Sequence, residues 1–186
     1  LNSTKNLSKI KFDYIFITLK IHHFTKNIIK QISKIKKNDT AIIPPCTSIP
    51  FWFSKSNDTM KVSKYIDFNN IIGMTMWLSA TMLEPGVIKI NHTQRGYPLR
   101  EVNIKMKKKA DILRKLLNRK SYSPNVKNIK GEIFIKSINS LAFNAIALLS
   151  KKNNKQIKND QKLINMIKLI LDEGEALLEK LNIKSN

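Results

Sequence analysis

"FDYIFITLK", residues Phe12 to Lys20, is a near-continuous apolar run, rich in β-branched and aromatic side chains, that stops abruptly at polar residues. Such a run reads as a strand buried on both faces, the kind found in parallel sheets. In the next segment, "HHFTKNIIKQISKIKK", Phe24, Ile28, Ile29, Ile32 and Ile35 recur at helical spacing, and "DTAIIPPC" is a second short apolar run. The order is therefore β-α-β, whose crossover favours parallel pairing. Pro44 and Pro45 each lack a ladder N–H, so the second strand is predicted to end near Ile43. Further on, "IIGMTMWLSATMLEPGVIKINH" reads as two strands around Glu84-Pro85-Gly86, with Pro and Gly where a type II turn takes them.

"KMKKKADILRKLLNRK", Lys105 to Lys120, sets Ile104, Ala110, Ile112, Leu113, Leu116 and Leu117 roughly along one helical side and its charges along the other. "SYSPNVKNIK" breaks the pattern. From Ile129 onward the chain reads as helical: a segment to about Ser150, a polar connector "KKNNKQIKND", and a last helix for which Asp160 is a plausible N-cap. Element types thus shift near residue 128. The predicted fold is an α/β part with a partial Rossmann-like sheet, residues 1–127, followed by an all-α C-terminal part, residues 128–186, with no internal repeat.

Of the 186 residues 42% are apolar, enough for a packed core. No run of about eighteen uncharged apolar residues occurs, and Leu1 to Lys11 lack an apolar signal segment, so the reading is a cytoplasmic protein without a membrane partner. The single cysteine, Cys46, rules out an internal disulfide and a Cys-based zinc cluster, and His22, His23 and His92 have no metal-site spacing. The formal net charge of +21 suggests association with phosphate, yet only Arg95, Arg100, Arg114 and Arg119 carry the guanidinium fork that reads bases. Lysines spread evenly among Asn and Ile point to compositional drift, so no specific nucleic-acid partner is expected. The five glycines are scattered, and the G-x-G-x-x-G turn that brings backbone amides to a pyrophosphate is absent. A chain that begins with Leu1 just before a strand central to a sheet is expected to have had an N-terminal segment.

"GEIFIKSINSLAFN", Gly131 to Asn144, poses a separate question. At helical spacing Lys136, Ser140 and Asn144 form a narrow polar stripe, with Phe134, Ile138, Leu141, Ala142, Ala145 and Leu149 on the other side. Periodicity leaves two readings open: a snorkelling surface lysine or a chemical one.

Four blocks, "DYIFITLKIHHF", "TAIIPPCTSIPFWF", "IIGMTMWLSATMLEPGVIKI" and "EIFIKSINSLAFNAIALLS", resemble successive blocks of the ketopantoate reductase (2-dehydropantoate 2-reductase) family, in that order. The resemblance covers nearly all of this chain but only the middle of the family's length, without its first glycine-rich βαβ unit and its last helices. It implies that residues 1–127 are part of a dinucleotide-binding domain and residues 128–186 part of the family's helical domain. It implies NADPH-dependent reduction of 2-dehydropantoate to pantoate in pantothenate biosynthesis, with a small 2-oxo acid as substrate. The family's catalytic lysine falls on Lys136, where an ammonium would stabilise the developing alkoxide. Substrate contacts fall on Ser140 and Asn144, and cofactor contacts on Lys20, Thr47 and Ala80. Two positions depart from the family pattern. Cys46-Thr47-Ser48 stands where the family has Gln-Asn-Gly, and Ser140 where it has an asparagine. Both lose an amide donor, which predicts an impaired or incomplete reductase, with a non-catalytic remnant of one and a basic nucleic-acid-associating protein as the alternatives.

Overall fold

A computed structural model describes residues 10–20, 23–46, 50, 52, 62–90, 95–119 and 122–183. Strand β1 (Phe12–Phe16), helix α1 (Lys26–Ile35) and strand β2 (Lys36–Ile43) form the expected β-α-β unit, with β1 and β2 parallel. Pro44 interrupts the ladder as predicted, but pairing resumes in a two-residue strand, β3 (Pro45–Cys46), parallel to β4 (Ile72–Thr75). A parallel bridge between Ile42 and Ile71 sets β2 beside β4, and β7 (Leu99–Glu101) pairs with β4 antiparallel. The sheet therefore runs β1, β2 with β3, β4, β7.

Side chains alternate across this sheet, as the two-residue period of a strand requires. Ile42 and Ile71 face a cluster with Ile29 and Ile32 of α1, together with Ile17, Ile66, Val126, Ile129 and Ile133. Ala41, Ile43, Ile72, Met74 and Leu99 face the other way, against Met106, Ala110 and Leu113. Those last two residues belong to α2 (Lys107–Leu117), so the sheet lies between two helical layers. The buried side of α2 is narrower than its sequence suggests, because Ile104, Ile112 and Leu116 are exposed and Met106, Ala110 and Leu113 carry the packing. β1 is also less buried than expected: Phe16 is exposed because β2 is the strand's one partner among the described residues.

The segment read as two strands is three. After β4 the chain leaves the sheet and returns in an antiparallel hairpin, β5 (Ala80–Glu84) and β6 (Val87–Ile90), every residue of which is exposed. Its turn is as predicted, with Gly86 at φ +86°, the value a type II turn takes at that position.

The C-terminal part is helical as predicted. Helix α3 (Ile129–Ser150) is capped by Asn128, whose side chain accepts from the amides of Lys130 and Gly131, and ends at Lys151 in the left-handed conformation. The connector is not bare chain: a capping box between Asn153 and Gln156 starts a short helix, α4 (Asn154–Lys158). Asp160 caps α5 (Gln161–Lys180), accepting from the amides of Lys162 and Leu163. Ala142 and Ile146 of α3 pack with Ile157 and Ile167. By length and composition α3 is apolar enough to cross a bilayer, yet Ile129, Ile133 and Phe134 in its first turns are buried within the protein.

Candidate active site

β1, β3 and β4 are parallel, so their carboxyl ends share one edge of the sheet, the edge at which open α/β sheets collect ligands. Met76 and Trp77 follow directly on the end of β4. Helix α3 crosses behind them, and Lys136 reaches over: its Nζ donates to the Met76 carbonyl at 2.5 Å and stands 4.6 Å from the centre of the Trp77 ring. The indole face is electron-rich and attracts the ammonium. Lys136 is half-buried, and the loss of water around it pushes its pKa below the ordinary lysine value of 10.5. Among the described residues it has no acidic partner, so neither charge nor proton is tied up by a carboxylate.

A second cation shares the ring. The Arg95 guanidinium carbon lies 4.8 Å from the Trp77 centroid. Its Nη2 also donates to Glu132 Oε1 at 2.9 Å, and Glu132, one helical turn before Lys136, is buried. A buried carboxylate without such a partner would be costly, so the pair explains an acidic residue inside an apolar helix. The segment carrying Arg95 is held by its backbone: Trp77 N–H donates to Gly96 O at 2.9 Å, and Tyr97 N–H to Tyr122 O at 2.8 Å. Gly96 has φ +62°, and a Cβ there would stand 2.0 Å from the Tyr122 carbonyl oxygen, so this position admits only glycine. Next to the Arg95–Glu132 pair, Pro98, Tyr122, Pro124 and Val126 complete the lining of a cavity of about 230 Å³.

The residues expected to form the site are partly brought together. Ser140 is half-buried and Asn144 exposed, one and two turns along α3 from Lys136 on the same side. Lys20 follows the end of β1 at the same sheet edge and is exposed, and Ala80 opens the exposed hairpin. Among the described residues no hydrogen bond or ion pair joins any of these four to Lys136. Thr47 lies outside the described residues. Sequence reasoning missed Trp77, Arg95 and Glu132. Glu132 had a signal, since it sits four residues before Lys136 in an otherwise apolar stretch. The link from Trp77 to Arg95 had none, because the bridge between Trp77 and Gly96 that creates it is tertiary.

A nicotinamide dinucleotide needs a backbone cradle for its diphosphate, and the glycines present serve other ends. Gly73 lies inside β4 against Ile129, Gly86 in the hairpin turn, Gly96 against Tyr122, and Gly131 and Gly174 inside helices. None of the five glycines therefore supplies that cradle. No group of His, Cys, Asp and Glu among the described residues could hold a metal ion.

Sequence comparison with family models and with curated proteins finds no match. Comparison of folds does. A D-mandelate dehydrogenase in ternary complex with NADH and anilino(oxo)acetate superposes with a TM-score of 0.78 at 17% identity, over 95% of this chain and 54% of the other. A ketopantoate reductase from Ralstonia eutropha JMP134 gives 0.73 at 11% identity, over 96% and 56%. A dimeric ketopantoate reductase from Staphylococcus aureus gives 0.72 at 17%, over 95% and 55%. The chain spans little more than half the length of each. Over nearly all of its own length, this chain has the fold of the ketopantoate reductases and covers about half of theirs.

Proposed function

We propose that this chain is the substrate-binding, carbonyl-polarising portion of a 2-oxo acid reductase of the ketopantoate reductase type. On that reading 2-dehydropantoate is the substrate, pantoate the product, and NADPH the reductant the resemblance assigns, in a cytoplasmic protein. The observation that carries it is Lys136: a half-buried ammonium, held by the Met76 carbonyl at the end of a parallel strand, with its pKa lowered and, among the described residues, no ion pair to a carboxylate. A carbonyl oxygen that meets this ammonium receives a hydrogen bond from one of the two N–H groups not given to Met76. As that oxygen gains negative charge, the bond strengthens, which favours the transition state over the ground state. Ser140 and Asn144, on the same side of α3, are the proposed contacts to the substrate's hydroxyl groups. Lys20, Thr47 and Ala80 are the proposed contacts to the nicotinamide end of the cofactor.

Titration calorimetry of 2-dehydropantoate into the chain and into Lys136→Met tests this. Saturable binding that the substitution weakens at least about tenfold, the loss of one charge-assisted hydrogen bond, is the expected result. Equal binding by both would refute it. A second reading, a protein that keeps the fold without the chemistry, is favoured by Ser140 in place of an amide. It is the conclusion if the acid does not bind.

A further inference from the structure

We infer that Arg95 is the carboxylate anchor of this site and that Trp77 holds it at a fixed reach from Lys136, so that the pair of cations selects a small 2-oxo carboxylate. The inference rests on the proposed reductase function and adds a residue to it.

Two observations carry it. Lys136 Nζ and Arg95 Cζ stand 4.6 Å and 4.8 Å from the centre of one indole ring, and Arg95 is bonded to Glu132, one helical turn from Lys136, so the two cations are neighbours along one side of α3. A 2-oxo acid carries its oxo oxygen and its carboxylate on adjacent carbons, so its two acceptor groups suit a pair of neighbouring cations. The guanidinium is also available. A guanidinium has five N–H donors; Glu132 takes a bond from Nη2, and the side chain is 46% exposed, so donors remain for an anion. Arginine suits the task because its planar fork meets a carboxylate with two parallel hydrogen bonds, which a lysine cannot do.

Each neighbour has a separate part. Trp77 presents its ring to both cations, and its backbone is bonded to Gly96, the residue after Arg95, so ring and guanidinium are positioned by one piece of chain. Glu132 holds one side of the guanidinium and so fixes the direction of the other. Lys136 alone would bind a ketone and an oxo acid with little distinction; with Arg95 beside it, the negative charge becomes a requirement.

The test is calorimetric titration with two probes, 2-dehydropantoate and its uncharged lactone, which keeps the oxo group and lacks the carboxylate. The proteins are the chain, Arg95→Lys, the double variant Arg95→Gln/Glu132→Gln and Lys136→Met, with folding checked by near-ultraviolet circular dichroism. The expected result is that the unaltered chain prefers the acid over the lactone by about thirtyfold, the scale of one lost bidentate charge-assisted pair. Arg95→Gln/Glu132→Gln should lose that preference while binding the lactone as before, and Lys136→Met should weaken both probes. Arg95→Lys retains the charge facing Glu132 and should fold even if the double variant does not; its expected loss is about fivefold, for the acid alone. Unchanged acid binding by Arg95→Lys and by the folded double variant overturns the role of Arg95 and leaves the reductase reading standing. Unchanged binding of both probes by Lys136→Met, or no saturable binding of either, overturns the reductase reading and this inference with it.

Discussion

At Lys136 the decisive quantity is how readily the ammonium gives up its proton. Burial lowers its pKa from 10.5, so the charged form is the disfavoured one in the fold. Affinity for a 2-oxo acid should therefore fall as pH rises toward 10.5 from below, earlier than for an exposed lysine, and Lys136→Arg should hold its affinity to higher pH. A titration series across alkaline pH reads this directly. The same shift makes the folded state bind fewer protons than the unfolded one in that window, so this group's contribution to stability rises as pH climbs through the lowered pKa. Gly96 is the second decisive residue. Gly96→Ala places a methyl group against the Tyr122 carbonyl in a left-handed backbone, and should cost about 3 kcal/mol or more in urea unfolding, with Arg95 displaced as well. Lys136 came from the resemblance, since the narrow polar stripe by itself left a surface lysine open. Arg95 and Trp77 were not legible in the sequence, since what joins them is a hydrogen bond across eighteen intervening positions of chain and not a spacing.

Among the elements, α3 positions the site, and its start is fixed by one side chain. Asn128→Ala removes the acceptor for two helix amides and should lower stability by about 1 kcal/mol, measured as a shift of the denaturation midpoint at unchanged slope. Asp160 has a pH signature of its own. Hydrogen bonds from Lys152 and from the amides at the start of α5 hold its carboxyl below 3.8, so its contribution is present above 3.8 and is lost as pH falls through the lowered value. Helix content followed by circular dichroism should fall at lower pH in the chain than a normal carboxyl would give, and Asp160→Asn, still a good cap, should flatten that transition. This cap was readable in the sequence because Asp precedes a strongly periodic run, and the type II turn because Pro and Gly leave little choice. The short helix α4 was missed, although Asn153 and Gln156 stand three apart as a capping box requires. The split between β4 and β5 was hidden because Met76, Trp77 and Leu78 continue the apolar run through the point where the chain leaves the sheet.

For the whole molecule, charge and shape give different messages. Among the described residues three of the four arginines form ion pairs, Arg95 with Glu132, Arg100 with Glu101 and Arg114 with Asp111. The net charge of +21 thus acts through dispersed lysines. DNA association should be weak, indifferent to sequence and steeply lost with added salt in a filter-binding series, because counterion release is its one source. We propose that the chain divides near residue 128 in its chemistry, yet α3 belongs to both sides of that division. Its 22 residues make a rod of about 33 Å, with Ile129 and Ile133 set among the sheet's core residues and Leu148 and Leu149 each 78% exposed at the far end. Lys136 sits between the turns set in the sheet's core and the turns whose Ala142 and Ile146 pack against Ile157 and Ile167. Amide hydrogen exchange along this one helix should accordingly be slow through the turns that carry Ile133 and through those that carry Ala142 and Ile146, and faster past Ile146 toward Leu149. A ligand gripping Lys136 would move the boundary between slow and fast outward along the rod, so the helix acts as a ruler on which occupancy of the site can be read as the position of a kinetic front.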